Sequence, residues 1–261
     1  MSQCPTQAGA STRADAMQRK WRCGWLGGLV AAVCTTVSAQ ESGSPKGVNP
    51  KDVVTKVDVI VRRDRFEGGV TLDSLTAKYD VGLNERWALA IEVPLAKFSA
   101  PGVSESGLSE SKLKLRRVEN TEWGALIGGA EFVLPTNRAD ALGSGKWQFN
   151  PSVGAVFSLS PTVFAFTGYQ HFWSVAGSDF AARINQSQPR LLVAKTSPAG
   201  WWLMGDFKYT LDHETHSKTV DTEFEAGMMV ARDWALSVRL IKSGLDSQRR
   251  WGAVAVVRHL F

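Results

Sequence analysis

Cysteine, long apolar runs and nucleotide-binding motifs are what this chain lacks, and each absence removes a class of function. The three cysteines, Cys4, Cys23 and Cys34, all lie within residues 1–39. That stretch reads as a secretory signal peptide: basic over 17–23, apolar and small over 24–37, then Val37-Ser38-Ala39 before Gln40, with translation starting at Met1 or Met17. Cys34 is a poor lipidation site, since Val33 stands where a small residue is expected. Removal of residues 1–39 leaves a chain free of cysteine, which excludes disulfides, a thiol nucleophile and a cysteine metal site. Mean hydropathy is −0.12, and no apolar run beyond the leader suits a membrane helix. No glycine-rich phosphate cradle or nicotinamide motif is present, so neither a cofactor nor internal energy coupling is expected. Charge of one sign is scarce as well. Of the net +5, residues 1–39 hold +3 (Arg13, Arg19, Lys20 and Arg22 against Asp15), leaving +2 and no case for a nucleic-acid partner.

What is present is alternation. The last eleven residues place Trp251, Ala253, Ala255, Val257, His259 and Phe261 on one face of a strand and Gly252, Val254, Val256, Arg258 and Leu260 on the other. A closing strand that ends on an aromatic residue looks like the assembly signal of bacterial outer-membrane barrels, here carried by Phe261. Eleven more segments of about ten residues precede it, the length a tilted membrane strand needs. The first begins at Val53, after a polar, flexible periplasmic lead-in over 40–52. Two registers stay open, over 163–173 (whether Gln170 or His171 points inward) and over 183–195. The expected fold is therefore all-β: a transmembrane, antiparallel, up-and-down barrel of about twelve strands over 53–261.

The links reinforce this reading. Short ones fall at 84–86, 119–122, 160–162, 197–200 and 232–233; long polar ones fall at 63–69, 99–111, 136–146, 174–182, 212–220 and 243–250. Such alternation suits short periplasmic turns and longer outer loops. Trp87, Trp123, Trp201 and Trp234 open strands after short links, and Trp147 and Trp251 after long ones, which predicts an aromatic girdle at each rim. If the apolar faces meet lipid, then Lys56, Asp58, Arg62, Lys78, Asp80, Glu92, Lys112, Lys114, Arg116, Glu131, Asp206, Lys208, Glu223, Glu225, Arg239 and Arg258 line the lumen. A charge facing lipid at mid-depth costs about 2–4 kcal/mol, which fixes this phase. The functional reading sets Lys112, Lys114 and Arg116 as a basic ladder opposing Glu223 and Glu225; the alternative is interior ion pairs that plug the barrel.

The segments 142–147 (LGSGKW), 150–154 (NPSVG), 169–177 (YQHFWSVAG), 185–189 (NQSQP) and Gly200-Trp201 resemble the outer-membrane transporter-like family labelled "MetA-pathway of phenol degradation", over about residues 72–261. The resemblance implies an outer-membrane barrel of Gram-negative bacteria that passes small, aromatic or apolar, solutes. Its expected partners are outer-membrane lipid, the barrel-assembly machinery and the solute. Two further readings are open. One is a phospholipase-like barrel enzyme using His171, Ser174 and Asn185 on the wall; the other is a plugged structural or adhesive barrel. The chain is read as a channel and not an enzyme. His213 and His216 share a polar loop and could hold a metal, but histidines so placed are ordinarily solvated, and no metal is expected.

Overall fold

The computed structural model describes residues 45–261; the expected signal peptide lies outside them. Alternating polarity becomes strand almost everywhere: β1 Lys56–Phe66, β2 Thr71–Gly82, β3 Trp87–Ala100, β4 Val103–Leu108, β5 Ser111–Thr121, β6 Gly124–Leu134, β7 Lys146–Ser160, β8 Val163–Gly177, β9 Asn185–Thr196, β10 Trp201–Asp212, β11 Lys218–Met229, β12 Trp234–Leu245 and β13 Arg249–Leu260. Sequence neighbours pair antiparallel except β4 and β5, which both pair with β3, and β1 pairs with β13 (Val57 opposite His259), which closes a twelve-stranded barrel. Closure gives every wall strand two partners, so no edge is left for lipid to face.

The thirteenth strand, β4, is a hairpin arm inside the link expected as a loop over 99–111. Both β4 and β5 run along β3, with Leu108 opposite Leu95 and Lys112 opposite Glu92. They part at Pro94, which has no N–H to give; its carbonyl accepts from Ser109 N at 2.9 Å.

The phase of the wall is legible residue by residue. Leu240 is 60% exposed and the next residue, Ile241, 2%. Val61, Leu95, Leu126, Leu191 and Val238 likewise sit on the outer face, with polar or small neighbours facing in. The link pattern differs from the reading above. The link after β1 shrinks to 67–70 and the one after β12 to 246–248. Pairing continues past the apolar belt into polar residues, as at Arg63, whose guanidinium donates to Asp73 at 2.6 and 2.9 Å. The sequence cue marked where apolar residues end, and strands outrun that boundary because water tolerates paired backbone as well as loop.

Candidate functional site: the barrel interior

Strand register brings opposite charges face to face on the inner wall. Lys56 lies opposite Asp80, Asp58 opposite both Lys78 and Arg258, Lys78 opposite Glu92, Glu92 opposite Lys112, Lys114 opposite Glu131, and Glu225 opposite Arg239. Cross-strand pairs of opposite sign are the favourable ones, so charge and hydropathy select the same register.

The side chains close these pairings into two arcs. In one, Lys114 reaches Glu92 at 3.0 Å and Glu131 at 2.8 Å, Lys78 reaches Glu92 at 3.3 Å and Asp80 at 3.5 Å, Lys112 stands 3.9 Å from Glu131, and Asn150 donates to Glu131 at 3.0 Å. In the other, Arg190 clamps Asp206 with bonds of 2.8 and 2.6 Å, Lys208 bridges Asp206 and Glu223, and Arg239 joins Glu223 to Glu225. Asp206 and Glu223 are register partners of like sign, and the flanking Lys208, Arg190 and Arg239 neutralise them. Arg62 holds Asp64, which also meets Arg249.

This arrangement replaces the expected ladder. Lys112 and Lys114 are neutralised on their own side of the barrel, and Glu223 and Glu225 on theirs, so these groups set up no field across the lumen. Short carboxylates cannot reach across a barrel, whereas the adjacent strand lies within about 5 Å.

Arg116 does something different. Its guanidinium donates to the backbone carbonyls of Pro50 at 2.7 Å and Asp52 at 2.9 Å. Arg258, besides holding Asp58, donates to the carbonyl of Gly47 at 2.8 Å, and Lys56 donates to the same oxygen at 3.2 Å. From Pro45 onward, the segment read as a flexible lead-in is thus folded into the barrel mouth. Val48 packs with Trp202, Met229 and Ala235, and Val53 packs against the inward cluster of Val118, Ala125, Ile127, Val156, Phe164, Leu192 and Ala194. Val53, expected to open the first strand, instead turns inward, and that strand begins at Lys56. The rim that holds this segment also holds Phe261, 75% exposed, whose N–H bonds Thr55 O at 3.1 Å; it is called the terminal rim below.

Toward the middle of the barrel, residue Pro50 borders a cavity of about 280 Å³. Lys78, Asp80, Lys114, Arg116, Glu131 and Arg190 line it, with Ala88, Ala90, Ile127 and Phe166 supplying apolar surface between them. A Cβ at Gly154 or at Gly168 would stand 2.6 Å from the Phe166 ring, so glycine at both places lets that ring lie flat on the wall. The Arg190 guanidinium stacks over Phe166 at 5.7 Å.

Sequence reasoning missed Arg190, Asp64, Asp221, Arg249 and Trp202 as inner residues. Arg190 was hidden by the open register of 183–195. Trp202, 2% exposed and donating its indole N–H to Glu225 at 3.1 Å, carried a usable signal, because it sits one residue from the outward Trp201 and so must face in. The open question in β8 resolves with Tyr169, His171 and Trp173 outward and Gln170 inward.

On the outer face Trp123, Trp147, Trp201, Trp234 and Trp251 are exposed, and Trp87 is half covered by Arg117, 5.5 Å from its ring centre. Trp123 stacks on Phe157, and Trp234 and Phe261 enclose the His259 ring, each at 4.6 Å. The constellation of His171, Ser174 and Asn185 does not assemble: Ser174 bonds the backbone of Ile184 on the other face of β8 from His171.

No family model matches the chain, and no curated protein is similar to it in sequence. Solved structures are similar in fold. An outer membrane channel from Pseudomonas putida F1 superposes with a TM-score of 0.67 at 15% identity, covering 80% of this chain and 96% of that one. The NanC porin gives 0.61 at 9% identity over 78% and 98%, and the KdgM porin 0.54 at 9% over 78% and 99%. This chain has the fold of outer-membrane channels and porins.

Proposed function

We propose that this chain is a passive channel of the bacterial outer membrane that admits small solutes, aromatic or apolar ones among them, to a charge-lined lumen narrowed at the terminal rim by residues 45–55. One observation carries the reading. The wall has an apolar belt outside and a self-neutralised charged belt inside, and between that belt and the inserted segment lies a cavity of small-molecule size. Charges paired along the wall, strand to neighbouring strand, leave the axis free for a solute.

Membership of the phenol-degradation group, a leader cleaved after Ala39, and Phe261 as the signal read by the assembly machinery all belong to this proposal, as does its location. The solved structures similar to it are channels and porins, which favours transport over hydrolysis. The test is single-channel conductance and liposome swelling with the refolded protein, comparing aromatic with charged solutes of similar size. Absence of any flux, from the native chain and from one whose inserted segment is released, leaves the scaffold reading in place.

A further inference from the structure

We propose that the outer wall carries a divalent-metal site, best matched to copper(II), built from Tyr169, His171, Ser187 and His213. These side chains come from β8, β9 and the residue following β10, and they share the lipid-facing side just beneath Trp173. Belt residues such as Leu191 and Phe207 continue that face toward the middle of the wall.

Polar groups gathered there require a reason, and their geometry supplies one. Ser187 Oγ lies 2.8 Å from Tyr169 Oη, 2.8 Å from His213 Nε2 and 3.4 Å from His171 Nδ1, and Tyr169 Oη lies 3.2 Å from His171 Nδ1. Ligands about 2.0–2.1 Å from one metal ion stand roughly 2.9 Å apart at a right angle and roughly 3.4 Å apart at the tetrahedral angle. The observed separations lie close to that range, so an ion among these atoms needs little movement of the wall.

The donors choose the ion. Two imidazoles with a phenol and a hydroxyl form a nitrogen and oxygen set, which suits copper(II) in tetragonal geometry, and copper(II) binds such sites most tightly among the divalent first-row metals. On binding, the Tyr169 proton passes to solvent and its phenolate becomes a ligand; Ser187 stays neutral. A hydrolytic reading of Ser187 with His213 fits less well. Among the described residues no carboxylate is hydrogen-bonded to either ring, so the group that would orient a base is lacking. The pair His213 and His216, three positions apart in sequence, is thereby replaced by His171 and His213, which only the barrel brings together, with ring centres 6.1 Å apart.

The experiment titrates copper(II) into the purified, detergent-solubilised barrel and follows electron paramagnetic resonance together with the phenolate-to-copper absorption band. One ion per barrel with two nitrogen ligands and that band is expected. Tyr169→Phe abolishes the band, and His171→Ala and His213→Ala each weaken binding by more than the roughly 10- to 100-fold that loss of an outer-shell partner costs. His216→Ala changes nothing. Folding of each variant is checked by heat-dependent mobility on gels, and the same titration on His171→Gln covers a His171→Ala barrel that fails to fold. Equal copper binding by the native barrel and the doubly substituted His171, His213 variant, or a band that survives Tyr169→Phe, overturns the proposal.

Discussion

Releasing the inserted segment is the most direct probe of the lumen, and Arg116→Ala is the substitution to make. The native guanidinium supplies two hydrogen bonds, 2.7 Å to Pro50 O and 2.9 Å to Asp52 O. Hydrogen bonds to charged groups contribute about 1.5–3 kcal/mol each. Both carbonyls can be rewetted in the lumen once the arginine is gone, so the lower end applies and the net loss is about 2–3 kcal/mol. Each 1.4 kcal/mol is tenfold, so the ratio of seated to released segment falls by roughly 30- to 140-fold. The assay is single-channel recording in planar bilayers. Arg116→Ala is expected to open to higher conductance more often than the native chain, and adding Arg258→Ala, which removes one of the two donors to Gly47 O, to extend the effect. Folding is the control, since Arg116 is not hydrogen-bonded or ion-paired to any carboxylate among the described residues and its loss orphans no charge. If Arg116→Ala and the double variant both fold and conduct like the native chain, the segment does not limit passage and the reasoning fails.

Three further outcomes follow from the interior. Glu131→Ala leaves Lys114 with Glu92 alone and removes the acceptor of Asn150; with Lys114 still paired and partly solvated the cost is about 1–3 kcal/mol, read as a lower denaturant midpoint for the folded band on gels. Burial raises the Asp52 carboxyl above its usual range, against the hydrogen bond from Gly47 N. The seated segment is therefore most stable below the ordinary carboxylate range and loses that contribution as pH climbs through the raised value. Open events should grow more frequent over that interval, and a flat profile in Asp52→Asn would match this, whereas an unchanged pH response would not. Gly154→Ala sets a methyl 2.6 Å from the Phe166 ring and 2.7 Å from Thr167 O, so the ring must lift into the cavity. The expected cost is about 1–3 kcal/mol of stability together with smaller conductance, both measurable on the refolded barrel.

Much of this molecule was written in its period-two pattern. Leu240 beside Ile241, or Trp201 beside Trp202, shows why: in a strand each residue's face is fixed by its neighbour's, so a sequence that alternates states its own orientation. Where alternation lapsed, as around His171 and Arg190, the orientation had to come from pairing. Loop lengths were misjudged for a related reason, since hydrogen-bonded strand in water leaves no apolar signature at Arg63 or Asp73.

Taken alone, the sequence determined the closed wall and its apolar belt, because lipid leaves a period-two chain with polar groups on one face a single tolerable solution. Only the tertiary structure decided which charge each inner group meets, that Arg116 and Arg258 grip the backbone of residues 47–52, and that His171 stands beside His213 and not His216. Those contacts join residues far apart along the chain, and their distances are set by strand register and barrel curvature, neither of which a local pattern encodes.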